Sequence, residues 1–237
     1  VRLGLRPHDP AALAAVPVHY AATLPPGRGL GRIAGIKFEP SLCDNDLLPV
    51  CVAAFLLNSA RATAWVRTGA DIVADQRKAV TFYAGVAGCA DDFMAIDATD
   101  GVQMLAAFQR ASAAGFDIGQ QVPLYPSWSR CAADDRFSLA HAAIGGLTGL
   151  GVKLATADAK IGGVWDLDMP GVAPAAQISG SWGPHCLGLW DWDGFGETDI
   201  VYLATWGIIQ RATWRWVHDR LESGEAYAVD WQQERAA

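Results

Sequence analysis

The densest apolar stretch of the chain is CVAAFLLNSARATAWVR, residues 51–67. Val52, Phe55 and Leu56 mark one helical face, and Ala53, Ala54, Leu57, Ala60, Ala62 and Ala64 fill most of the others, with Asn58 and Arg61 as the main polar breaks. A helix apolar nearly all round is a core helix. Residues 37–50 before it are irregular, punctuated by Pro40 and Pro49. A second helix is predicted over 100–115. Asp100 and Gln103 have capping-box spacing, Val102, Leu105, Ala106 and Gln109 step at helical intervals, and Gly115 is a stop. Between these two, ADIVADQRKAVTFYAGVAG mixes β-branched, small and charged residues and reads as a short strand with loops. Asp134 and Asp135 are placed to cap a further helix over 136–145.

After residue 116 the period shortens. QQVPLYPSW, with Pro123 and Pro126, suits a crossover. GVKLATA, 151–157, alternates as a strand, and GGVWDLDMP reads as a loop walling a cleft. In HCLGLWDWDG, His185, Leu187 and Leu189 share one face, with Cys186, Gly188, Trp190 and Trp192 on the other. DGFGETD supplies turn residues, and DIVYLATW alternates and should pair back on the His185 strand. Thr213 is placed to cap a short helix with Trp214, Val217 and Leu221 inward and Gly224 at its end; AYAVDW is a last strand. The pattern predicts an α+β chain in three parts: an extended Pro/Gly-rich arm over 1–36, a helical lobe over 37–118 and a β-rich lobe over 119–237.

Composition narrows the function. The 237 residues are 51% apolar, enough for a sizeable core. A formal charge of −7 with few basic clusters argues against nucleic acid as a partner. No run reaches the roughly 18–20 apolar residues of a membrane span, so no membrane partner is expected. AALAAV is too short for a signal core and is broken by Pro17; a start at Val1 fits loss of an initiator Met. Five cysteines without paired spacing read as free thiols from a reducing compartment. Neither Asp91, Asp92, Asp97 and Asp100 nor Asp191, Asp193 and Glu197 has the spacing of a calcium loop. No metal or other cofactor is expected. His141, among alanines, reads as structural. Trp128, Trp182, Trp190, Trp192, Trp206, Trp214 and Trp216 crowd the second half, either as a contact face or as core filling.

The candidate chemistry sits at the mouth of the first helix. Cys51 falls near its first residue, where unpaired N–H groups favour a thiolate. Asn45 lies six residues upstream in an Asn-Asp turn, His185 opens the later strand, and Trp206-Gly207 closes the next one. This order resembles the papain-like cysteine peptidase superfamily, and most closely the papain-like proteins of tailed bacteriophages: NDLLPVC, WGPHCLGLWDWDG, ATWGIIQRATWRW and the Pro-rich LGLRPHDPAALAAVPVHYAATLPPG fit that pattern across most of the chain.

The resemblance implies a two-lobed fold with Cys51 as nucleophile, His185 as base and Asn45 as oxyanion donor. The residue expected to orient the imidazole, an Asn, is replaced by Ala204. Thr205 is the nearest substitute, on the strand face opposite Ala204 unless a bulge intervenes. The expected function is therefore a virion-associated structural or decoration protein of a tailed phage, a catalytically impaired homologue. It would be made in the host cytoplasm and partnered by other virion proteins of capsid or tail. The alternatives are an active cysteine peptidase or amidase acting on a peptide substrate through Cys51 and His185, and a plain α+β domain with Cys51 as a buried apolar residue. In the arm, the resemblance implies a segment that blocks the cleft; composition alone implies a surface-packed arm.

Overall fold

The computed structural model describes residues 3–6, 9–19, 25–27, 29–30 and 39–233. The parts of the expected arm at 1–2, 7–8, 20–24, 28 and 31–36 lie outside the described residues. In chain order the helices are α1 (Pro10–Ala14), α2 (Cys51–Thr68), α3 (Gln76–Ala87), α4 (Phe93–Asp97), α5 (Met104–Ala114), α6 (Arg136–Ala143) and α7 (Trp214–Arg220). The strands are β1 (Val18–His19), β2 (Tyr125–Cys131), β3 (Thr148–Leu154), β4 (Val164–Trp165), β5 (Gly183–Trp192), β6 (Ile200–Thr205), β7 (Ile208–Thr213) and β8 (Leu221–Gln232). Among the described residues they form one 8-stranded sheet in the order β1-β2-β8-β3-β5-β6-β7-β4. Its pairs are antiparallel except β1 with β2 and β4 with β7.

Helix α2 is the core helix that its composition implies. Every residue from Cys51 to Ala60 is buried, and Gly69 ends it in the left-handed region (φ 71°), its N–H bonding the Trp65 carbonyl. The two polar breaks pin the preceding loop. Asn58 Oδ1 accepts from Ser41 N at 2.6 Å and its Nδ2 donates to Ser41 O at 3.0 Å. Arg61 donates to Glu39 O at 2.9 Å and to Ser41 Oγ at 2.7 Å. The segment that carries Asn45 and leads into Cys51 is thus tied to the helix it opens.

Three expectations for the elements are corrected. Residues 76–87 are helical, not strand and loop: Asp75 Oδ1 accepts from Arg77 N at 2.9 Å, and Ala79, Val80, Tyr83 and Ala84 form a helical stripe facing the core. The helix after Gly101 starts at Met104, with Gln103 as its N-cap and no side-chain capping bond, so the Asp100–Gln103 capping box is not made. The last helix stops at Arg220, and Gly224 lies inside β8 rather than at a helix end. By contrast α6 is capped by Asp135, whose Oδ1 accepts from Phe137 N at 3.0 Å.

One irregularity re-aims β5. Leu189 pairs with Leu203 but Asp191 with Tyr202, so Trp190 is an extra residue in the ladder. Side-chain parity flips there. Trp190 packs with Cys186 and the α2 cluster, while Trp192 joins Leu187 and Leu189 on the other side, not Trp190 as alternation alone would have it. Trp190, Trp192, Trp214 and Trp216, together with Trp165, are essentially inaccessible and fill the core rather than form a contact face; Trp128 and Trp182 are half-buried. Trp165 stacks on Trp216 with centroids 4.9 Å apart. Trp216 Nε1 donates to Asp158, and Asp158 pairs with buried Arg220 at 2.9 Å.

Candidate active site

Cys51 is the first residue of α2, and the N-cap Val50 offers no side-chain bond to the helix mouth. The approach is a tight loop in which Cys43 and Asp44 take φ of 54° and 56°. Asn45 N donates to Leu42 O at 3.0 Å, and Leu47 and Leu48 N–H both bond Asp44 O. Asn45 is buried and its Oδ1 has no partner.

His185 sits in β5 between β3 and β6, opposite Val152. That central position buries it completely, at 0% exposure. Its Nε2 lies 2.8 Å from Thr205 Oγ1. The register explains why no bulge is needed for this. Ala204 pairs with Gly188, so Thr205, one residue on, and His185, three residues back, both leave the sheet on the opposite side from that pair. Ala204 instead packs in the α2 cluster with Cys51 and Cys186. Trp206 and Gly207, at φ 44° and 73°, are the two central residues of the β6–β7 hairpin, both positive as a type I′ turn requires. A Trp pays for that backbone only when its ring is held elsewhere; here it stacks on His185, centroids 4.4 Å apart and planes at 21°.

The structure brings Cys51 to the His185 strand through the neighbouring residue. The backbone N–H groups of Cys186, Gly4 and Val52 lie near enough to the sulfur to favour its charged form. The second imidazole nitrogen, His185 Nδ1, has no hydrogen-bond partner, so no bond from it to the Cys51 thiol is made. Burial pushes the Cys51 thiol up to about 11, with those backbone N–H groups acting in the other direction. Burial also drives His185 down to about 3. The helix mouth does not produce the thiolate expected there, because with Cys51 at 1% exposure the cost of desolvating a charge outweighs a partial helix charge. In this closed form both groups are neutral at neutral pH.

What lies over the site is Leu3–Arg6, part of the arm for which the resemblance implied a cleft-blocking segment and composition a surface-packed one. Gly4 O accepts from Val102 N at 3.0 Å and Arg6 N donates to Val102 O at 3.1 Å, so Leu3–Arg6 runs as a strand parallel to Val102. Leu5 is 2% exposed, and Leu3 lies against Gly183, two residues before His185. The signal available in the sequence was LGL itself, a small residue between two large apolar ones within a Pro-rich arm.

The acidic groups have other duties. Asp191 accepts from Leu30 N at 2.7 Å and Trp192 N at 2.9 Å, Asp193 from Tyr202 Oη at 3.1 Å, and Asp92 from Ala95 N. Among the described residues no group of three or more His, Cys, Asp or Glu is placed to hold a metal. No helix among them is long and apolar enough to cross a membrane.

This fold is the one shared by papain-like cysteine proteases. The digestive procathepsin L 3 of Tenebrio molitor larval midgut superposes with a TM-score of 0.61 at 12% identity, over 90% of this chain and 73% of that one. The cysteine protease and lectin-like domains of Cwp84, a surface-layer-associated protein of Clostridium difficile, match with a TM-score of 0.62 at 10% identity, over 92% of this chain and 54% of that one. Xylellain, a cysteine protease from Xylella fastidiosa, gives 0.56 at 11%, over 96% and 91%. No family model and no curated protein matches the sequence.

Proposed function

We propose that the chain is a papain-type cysteine peptidase or amidase held closed by its own N-terminal strand. The observation that carries this reading is a peptide main chain laid over the mouth of the core helix: Gly4 O accepts from Val102 N, Gly4 lies against the Pro49 backbone two residues before the thiol, and Leu5 is buried in the cluster that holds Cys51. A cleft that binds extended main chain beside a cysteine is arranged for acyl transfer. With the segment withdrawn, water reaches both groups and the desolvation that neutralises them falls away. Opening must also bring the thiol to His185 Nδ1, since in the closed form the ring leaves the sheet on the side away from the Cys51 cluster; the Cys51 proton then passes to His185, and the sulfur attacks a substrate carbonyl. The resulting oxyanion takes hydrogen bonds from the Cys51 backbone N–H and the Asn45 amide. The imidazolium returns its proton to the leaving amine, and water then hydrolyses the thioester. Thr205 holds Nε2 and so leaves Nδ1 for this exchange.

The test is selective labelling. Leu5→Asp is introduced to expel the buried segment, and the protein is treated with iodoacetamide and with a fluorogenic peptide pool. We expect Cys51 to be alkylated ahead of Cys43, Cys89, Cys131 and Cys186, and hydrolysis to vanish in Leu5→Asp/Cys51→Ala. Uniform slow alkylation without hydrolysis would end the reading.

The neutral, unbonded Cys51–His185 pair favours a second reading, a catalytically impaired papain-like module of a tailed-phage particle, made in the host cytoplasm and seated among capsid or tail proteins. Absence of the chain from purified particles would remove it.

A further inference from the structure

The segment over Cys51 is held in a slot with no room for a side chain. An added Cβ at Gly4 would lie 1.9 Å from the Pro49 carbonyl oxygen and 2.2 Å from its carbon. Both are backbone atoms of the residue two before Cys51, tied into the start of α2, and they cannot swing aside as a side-chain tip can. The other wall is Gly101, at φ 91°, where a Cβ would meet Gly4 O at 2.0 Å. Wall and occupant are thus glycine against glycine, and the Val102 bonds on either side of Leu5 fix the strand's depth in the slot. On either side of Gly4 the slot widens for large apolar groups. Leu5 is buried in the cluster that contains Cys51 and Val102, and Leu3 Cδ1 sits where a Cβ on Gly183 would come within 3.0 Å of it.

From this geometry we infer that the cleft at Cys51 is a glycine-gated peptide slot: it takes an extended segment with glycine beside the thiol and a large apolar residue on each side, and Leu3-Gly4-Leu5 is its resident occupant. The inference rests on the peptidase reading for what happens to a bound peptide, but not for the binding preference. Substrates or inhibitors entering by this route are peptides of the apolar-Gly-apolar class. Alanine at the middle position meets the Pro49 backbone that leads into the thiol's helix.

The probes are acetyl-Leu-Gly-Leu-Arg-amide and its Leu-Ala-Leu-Arg counterpart, read by protection of Cys51 from iodoacetamide in the full chain. In Gly4→Ala, Cys51 should alkylate about tenfold or more faster than in the unsubstituted chain, since overpacking a backbone contact expels the strand. Cys131, buried in the other core cluster, should stay protected as the sign of an intact fold. The glycine peptide should then restore protection at about a tenth of the concentration the alanine peptide needs, or less, from the same overpacking cost. If Gly4→Ala exposes Cys131 as well, the peptide pair is applied to the unsubstituted chain, where alkylation proceeds only as the segment leaves; there the glycine peptide should slow it and the alanine peptide should not. Equal protection by the two peptides, in either protein, overturns the gate. Unaltered Cys51 alkylation in a folded Gly4→Ala does so too. A clear preference without hydrolysis would sink the peptidase reading and leave the slot standing, and hydrolysis of both peptides alike would do the reverse.

Discussion

Thr205 is where a single residue decides how the imidazole is held. Its hydroxyl is the one partner of His185 Nε2, in a site closed to water. Thr205→Val keeps the shape and deletes the hydroxyl. Leaving a buried ring nitrogen unpaired should cost about 1–3 kcal/mol, read as a lower urea midpoint, and Thr205→Ser should recover most of it. A Val variant as stable as the parent would show that the bond contributes nothing. His185 also sets a pH dependence. Burial holds it at about 3 in the folded chain against the usual 6.5, and its neighbours Thr205 and Trp206 do not titrate in that range. Between those values the unfolded chain binds a proton that the folded chain refuses. This stability is complete above about pH 6.5 and is lost as pH falls toward 3. At pH 5 the loss from this ring should be about 2 kcal/mol. Comparing urea midpoints at pH 7 and pH 5, His185→Gln should lose that much less than the parent; equal losses would mean the ring protonates in the folded state. The sequence exposed Cys51, His185 and the missing amide at Ala204 through their order. It did not expose that His185 shares Thr205's face, because that depends on which residues pair across β5 and β6, and register is invisible without the partner strand.

At the level of elements, legibility followed the strength of the period. Helix α2 was plain because its apolar residues leave no second interpretation. Helix α3 was not: Val80, Thr81 and Val86 are β-branched, and only Asp75 at its cap and Gly88 at its end, φ 69°, mark the boundaries. What settles α3 is tertiary, the burial of Tyr83 and Val80 against the core. The same holds on the far side of the sheet, where no sequence spacing foretold that Asp158 in the 3-10 turn Thr156–Ala159 would join Trp216 and Arg220 of α7. Asp158 Oδ2 also accepts from Ala155 N at 2.7 Å, and Arg220 donates to Gln177 O at 2.9 Å, so one carboxylate ties three connections together. Asp158→Asn leaves Arg220, at 1% exposure, without its buried counter-charge and with only the half-exposed Asp219 paired to it. Breaking one side of a buried pair costs about 3–5 kcal/mol, and the denaturation midpoint should fall accordingly. A shift under about 1 kcal/mol, the scale of a surface pair, would show that Asp219 alone suffices to hold the guanidinium.

Across the whole molecule, the first thirty residues touch both halves of the fold at separate places. Leu3–Arg6 lies on Val102 and Pro49 beside the helices, Val18–His19 pairs with Arg130 and Cys131 of β2, and Leu30 N bonds Asp191 at the far end of β5. Trp192 Nε1 adds a bond to Pro26 O at 3.2 Å. Between the first and last of these stand the β1–β2 pairing and the bond from Arg130 Nη1 to Leu13 O at 3.0 Å. Anchors separated by independently held chain release independently, since local openings need break only their own contacts. Asp191→Ala should therefore loosen the Leu30 end and leave the Cys51 alkylation rate unchanged. Leu5→Asp, which forces a carboxylate into an apolar site, should raise that rate about tenfold or more. A comparable rise in Asp191→Ala would mean that the arm lifts as one body, and closure of the cleft would then be governed from the opposite end of the sheet rather than by the strand that lies on the thiol.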